Sequence, residues 1–106
     1  IFMIREIFLG FIRVHILYHA SLSPVYGLEL IEELKRHGYH VSPGTIYPIL
    51  GRPEQSGLLV SEKITVAGKV RKYYKITAGG IEILKEAKEK VRELASEILE
   101  ERECSL

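Results

Sequence analysis

A mainly α fold of the α+β class, with four helices and one β-hairpin, follows from three features of this 106-residue sequence. Apolar residues recur three and four apart from Ile4 to Tyr18, within 27–37, and again from Leu84 onward. Two runs rich in β-branched and aromatic residues, 58–66 and 70–76, flank the loop Ala67-Gly68-Lys69. Between the second helix and the hairpin lies SPGTIYPILGRPEQSG at 42–57, a short segment that opens like a capped helix. A short helix beside a basic hairpin is the layout of a winged helix-turn-helix with a two-stranded β wing. The expected division is a winged-helix unit over 1–76 and a long C-terminal helix over 77–106.

The first helix is expected over roughly 4–20, with Ile4, Ile7, Phe8, Phe11, Val14, Leu17 and Tyr18 on its apolar face. Its run is apolar enough to raise the question of a membrane span. Arg5, Glu6 and Arg13 interrupt it, and no small-residue cleavage site follows. It reads as a core or interface helix, neither a span nor a signal peptide. Pro24 disfavours helix in Ser23, so 21–24 is a break. The second helix, 27–37, is expected to bury Leu28, Ile31 and Leu34 and to stop at Gly38.

The third helix is expected to take Ser42 as N-cap and Pro43 at its first position. Pro48 then falls six residues in, where its ring meets the Gly44 carbonyl. A start at Thr45 is the alternative, since it puts Pro48 in the first turn. Pro53 is expected to kink or end the helix near Arg52. In the hairpin loop Gly68 is suited to positive φ. Thr77 is the expected cap of the fourth helix, whose first turn Gly79 and Gly80 weaken. Beyond it, Leu84, Ala87, Val91, Leu94 and Ile98 form a heptad-like seam.

The composition is that of an ordinary globular protein, 46% hydrophobic and 27% charged. The single cysteine, Cys104, precludes an intrachain disulfide and suits a reducing cytoplasm. The net charge of +1 hides a split. Residues 1–76 carry ten Lys and Arg against six Glu, a balance of +4; residues 77–106 carry five against eight, a balance of −3. A basic face with an acidic solvated helix fits a domain with one anionic partner.

Catalysis has little support. His15, His19, His37 and His40 share no metal-ligand spacing, and no third ligand accompanies the i,i+4 pair His15 and His19. Gly79-Gly80 lacks the spacing of a phosphate loop. No cofactor is expected. Nucleic-acid binding has a connected physical case. Lys69, Arg71 and Lys72 sit at or beside a hairpin tip able to reach a phosphate backbone. Strand alternation puts Arg71 and Tyr73 on one face and Lys72 and Tyr74 on the other. Ser42, Thr45 and Tyr47 offer uncharged donors near a helix N-terminus, and Arg52 is suited to reading guanine. Thr45 and Tyr47 are equally suited to capping and core packing.

The segments LYHASLSPVYGLELIEEL, VSPGTIYPIL, SGLLVSE and RKYYKITAGG, in this order, resemble the PadR family of bacterial and archaeal transcriptional regulators. The resemblance covers most of the chain. It implies a winged-helix homodimer that represses a nearby operon, with duplex operator DNA as partner. Some members respond to phenolic compounds or drugs at the dimer interface, so the resemblance extends to this chain the expectation of a small-molecule effector there. By position it assigns operator contact to the helix from Ser42, including Thr45 and Tyr47, and backbone contact to Lys69, Arg71 and Lys72. It assigns dimerisation to the helix from Thr77, and in such dimers that helix packs on the partner's N-terminal and C-terminal helices. The expected seam is Leu84, Ala87, Val91, Leu94 and Ile98, with Ile4, Phe8 and Phe11 as its apolar complement. The chain departs from the family pattern at Pro53, where leucine is usual, at Gly51, where a larger residue is common, and in having no tryptophan. The alternative reading is a winged-helix protein-interaction module without DNA binding.

Overall fold

The computed structural model describes residues 2–100, with side chains from residue 4 onward. Cys104 and the rest of the 77–106 segment past residue 100 lie outside the described residues. The elements in chain order are α1 (Phe2–Leu22), β1 (Val25–Tyr26), α2 (Gly27–Arg36), α3 (Pro43–Gln55), β2 (Leu59–Val66), β3 (Lys69–Ile76) and α4 (Ala78–Leu99). The strands form one antiparallel sheet in the order β1-β3-β2. The winged helix-turn-helix architecture expected from the sequence is therefore present, with a third strand added.

That third strand was not foreseen. Pro24 ends the first helical run, and the next two residues pair with the wing, Val25 with Tyr74 and Tyr26 with Tyr73. Val25 is buried with Tyr74 on the core face. The second correction concerns α2. Its buried stripe is Leu30 and Leu34 with Ile31 beside them, whereas Leu28 is 59% exposed. Gly27 opens α2 on the buried side, so the apolar face is rotated from the expected one. Helix α2 ends in a Schellman arrangement. The Tyr39 amide donates to the Leu34 carbonyl at 2.9 Å, and Gly38, at φ +89°, donates to Lys35 at 3.0 Å.

Helix α3 does not stop at Arg52. It starts at Pro43 and runs through both Pro48 and Pro53 to Gln55. Bonds from beyond its end hold the last turn: Leu58 N–H donates to the Pro53 carbonyl at 2.8 Å, and Gly57 N–H to Glu54 at 3.1 Å. These bonds need only the carbonyl of Pro53, so its missing amide does not break the closure.

The core gathers Ile16, Leu30, Leu34, Ile46, Leu50 and Leu59 as its most deeply buried side chains, under α1, α2, α3 and the sheet. The junction before α4 is held by Thr77. Its hydroxyl donates to the Gly57 carbonyl at 2.5 Å and accepts from Gly80 N–H at 3.0 Å. Its amide donates to the Leu58 carbonyl at 3.1 Å. Thr77 thus caps α4, as expected, and also ties it to the end of α3. Gly80 is required by this approach, because a Cβ there would overlap the Leu58 carbonyl oxygen. The radius of gyration is 15.8 Å, against about 13 Å for a compact chain of this length.

The histidine expectation also changes. Helix α2 crosses α1 so that His37 and Glu33 meet His15 and His19. A third imidazole and a carboxylate do accompany the His15–His19 pair, contributed by the other helix. Burial, and then the charges of His37 and His19, hold His15 below its ordinary pKa, against the opposing pull of Glu33.

Candidate nucleic-acid interface

The α3 surface divides cleanly. Ile46, Ile49 and Leu50 face the core, and Ser42, Gly44, Tyr47, Pro48 and Arg52 are on or near the outer side. Ser42 stands at the N-cap position, but its side chain makes no cap bond. Its carbonyl accepts from Thr45 and Ile46, both at 2.9 Å, and its Oγ lies 3.3 Å from Thr45 Oγ1. Two hydroxyls and the Gly44 amide therefore meet at a helix N-terminus, where the helix dipole favours an anion. Tyr47 packs on the start of α2 and also reaches the outer side. Its ring lies so close to Gly27 that a Cβ there would come within 2.9 Å of it, yet the side chain remains half exposed.

Arg52 and Thr45 line a shallow cleft between α3 and α1, together with Arg5 and Arg13. Sequence reasoning assigned no role to these two α1 arginines. The signal was their spacing of eight residues, which puts them on one side of a helix.

The wing is an eight-residue ladder in register from Leu59↔Ile76 to Val66↔Lys69. The loop is two residues, Ala67 at φ +52° and Gly68 at φ +80°, so Lys69 belongs to the strand. Positive φ at both loop positions is the type I′ geometry that fits strand twist. Alternation holds as expected. Tyr74 and Lys72 share the face that carries the core residue Leu59, and Lys69, Arg71 and Tyr73 share the other. The wing residues therefore do not present one surface.

On the outer face, the Arg71 guanidinium carbon lies 4.5 Å above the Tyr26 ring, and Tyr26 meets Tyr73 edge to face at 5.2 Å. A hydrogen bond with the Tyr73 side chain, above all, raises Arg71's pKa beyond its ordinary value. This aromatic seat depends on β1, which explains why the sequence did not place Tyr26 in the site. On the inner face, Lys72 lies 3.6 Å from the Glu54 carboxylate of α3, which also accepts a bond from the Ser61 hydroxyl. Tyr74, and then Glu54, raise the Lys72 pKa. Glu54 thereby couples the wing to the outer end of α3. Lys63 pairs directly opposite Lys72 in the ladder. Like charges facing across a sheet destabilise it, and a bound polyanion removes that cost.

A second exposed surface, on α1 and α4, is apolar. Ile4, Phe8 and Phe11 on α1 stand about half exposed. On α4 the expected seam splits. Leu84 is 5% exposed and belongs to the chain's own core, Ala87 is half-buried, and Val91, Leu94 and Ile98 are 52%, 45% and 52% exposed. Phe11, Tyr18, Tyr39 and Val91 line a groove of about 700 Å³ between α1 and α4.

A sequence profile described as Transcriptional regulator PadR-like family matches residues 16–94. The chain belongs to this family. It is 48% identical over 95 residues to Transcriptional regulator Rv3488 of Mycobacterium tuberculosis, covering 90% of this chain and 89% of that protein. Its fold is similar to that of a PadR family transcriptional regulator from Eggerthella lenta, with a TM-score of 0.77 and 33% identity over 89% of this chain and 83% of the other. A PadR-like transcription factor from Bacteroides fragilis superimposes with a TM-score of 0.78 and 30% identity, covering 91% and 94%. PadR-like membership makes the chain a transcriptional regulator and not an enzyme. No helix among the described residues is long and apolar enough to cross a membrane.

Proposed function

We propose that this PadR-like chain is a homodimeric repressor that binds operator DNA with α3 in the major groove and the wing on the phosphate backbone. The observation that carries the reading is the Glu54 link between α3 and a wing that holds Lys63 and Lys72 face to face. It ties the reading helix to the cationic arm. The Ser42 and Thr45 hydroxyls and the Gly44 amide take a phosphate, which sets the register of the helix in the groove. Tyr47 and Arg52 reach the base edges, and Arg52 is suited to guanine. Lys69, Arg71 and Lys72 neutralise phosphates beside the groove, and Tyr73 supports Arg71.

Residues 1–76 then form the DNA-binding unit, and the helix from 77 onward joins two copies. The exposed Val91, Leu94 and Ile98, with the half-buried Ala87, pack against their own symmetry mates and against Ile4, Phe8 and Phe11. A two-fold dimer presents two α3 helices to successive major grooves about 34 Å apart. Footprinting on the DNA upstream of the chain's own gene tests this. The expected result is a pair of symmetric protections one helical turn apart. Protection without two-fold symmetry would count against the dimer, and no protection on any operator candidate would favour a protein-interaction module. The groove between α1 and α4 is where a small-molecule effector would act, at the edge of the dimer contact, and the protein would do its work in the cytoplasm.

A further inference from the structure

We propose that His15, His19 and His37, with the Glu33 carboxylate, form a binding site for a divalent transition-metal ion of the zinc class. The residues come as two pairs, each spaced i,i+4. His15 and His19 lie on α1. Glu33 lies in α2, and His37 is its C-cap. Spacing of one helical turn puts both members of a pair on one face, and the crossing of the helices sets the two pairs opposite each other. One nitrogen from each imidazole lies within 4.8 Å of the other two. A tetrahedral zinc with Zn–N bonds of about 2.0–2.1 Å holds its ligand atoms about 3.4 Å apart. The His15 and His37 rings lie stacked at 4.7 Å, so closing the remaining gap takes a turn of the imidazoles, and His37, which is part exposed, has room to turn.

The carboxylate is already aimed. Arg36 holds Glu33 Oε1 at 2.7 Å, which leaves Oε2 turned to the histidines, 3.3 Å from His37 Nε2 and 3.7 Å from His19 Nε2. A neighbour that fixes the orientation of a ligand is a regular part of metal sites. Three imidazoles and one carboxylate oxygen make a four-ligand set that selects zinc, cobalt, nickel or copper over magnesium or calcium, which need all-oxygen cages. Two other cations share the groove with His15, Lys88 and Arg92 of α4. Both are turned elsewhere, Lys88 over the Tyr18 ring at 6.0 Å and Arg92 onto Glu89 at 2.6 Å. The proposal rests on α1 and α2 alone and stands whether or not the chain binds DNA. An ion here would pin α1 to the end of α2, at the turn that leads into α3.

The test uses the full chain without an affinity tag, stripped with chelator and titrated with cobalt(II) and then zinc. The expected result is the visible d–d absorption of four-coordinate cobalt saturating at one ion per chain, displaced by zinc. Zinc should also raise the melting temperature by mass action on the folded state. His37→Ala should abolish both signals, and Glu33→Gln should weaken binding about 10- to 100-fold, as loss of a ligand or its support does. His40→Ala, outside the cluster, should leave both intact. Absence of the cobalt spectrum, or its persistence in His37→Ala, overturns the proposal. Equal loss in His40→Ala overturns it as well.

Discussion

Gly80→Ala should destabilise the protein, although the usual rule for a helical glycine predicts the opposite. Replacing glycine by alanine within a helix ordinarily stabilises by about 1 kcal/mol. At Gly80 the new Cβ would overlap the Leu58 carbonyl oxygen, lie 2.6 Å from Ile76 Cγ1 and lie 3.1 Å from the Leu58 carbonyl carbon. Two of these atoms are backbone, so the strain cannot be relieved by a rotamer change. The first turn of α4 must move off the Leu58 carbonyl, just ahead of β2, and the Thr77 bonds to Gly57 and Leu58 are stretched with it. Overpacking costs about 1–3 kcal/mol and a weakened N-cap about 1 kcal/mol. The helix gain offsets about 1 kcal/mol of that, for a net loss near 2 kcal/mol. In a domain of this size that lowers Tm by about 8–16 °C.

Gly79→Ala is the internal control. Its Cβ would meet only the Gly57 carbonyl oxygen at 3.4 Å and Thr77 Oγ1 at 3.7 Å, ordinary contacts. It should raise Tm or leave it unchanged. The assay is a far-UV circular dichroism melt of both variants and wild type at one protein concentration, since Tm of an oligomer depends on it. If Gly80→Ala melts at or above wild type, the close approach of α4 to the Leu58 carbonyl does not constrain this fold, and the reasoning fails.

Two further variants probe other parts of the account. Leu94→Glu should convert the dimer to a monomer by light scattering at micromolar concentration, because a charge buried without a partner is costly; a dimeric variant would move the interface elsewhere. Pro53→Leu should raise Tm by a few degrees, since α3 runs through residue 53 and leucine supplies the missing amide to the Ile49 carbonyl. A lower melting temperature would mean that the proline ring is part of the packing.

Much of this was legible in the sequence because local chemistry and tertiary demand agreed. The α4 cap at Thr77, the stop at Gly38 and the hairpin around Gly68 each depend on one or two residues with few alternatives. The strand β1 was not legible. Two residues, Val25 and Tyr26, show no period, and only their pairing with β3 makes them a strand. The face of α2 was misjudged because Leu28, Leu30, Ile31 and Leu34 support two overlapping stripes, and Gly27 on the buried side decides between them. The course of α3 past Arg52 depends on bonds donated by Gly57 and Leu58, outside the proline's local rule. Within the candidate interface, the cations could be read from the hairpin, but not their seats on Tyr26 and Glu54. The histidine cluster needed the helix crossing, because its two i,i+4 pairs are far apart in the chain.

The most direct test of the DNA-binding account is the salt dependence of binding to duplex DNA by wild type and by the Arg71→Ala, Lys72→Ala double variant. Lys69, Arg71 and Lys72 from two protomers give six phosphate contacts, and hence a slope of log K against log salt near −5. Removing four of them should flatten the slope to about −2 and weaken binding to all sequences alike. A double variant that retains the wild-type slope would show that the wing does not lie on the phosphate backbone.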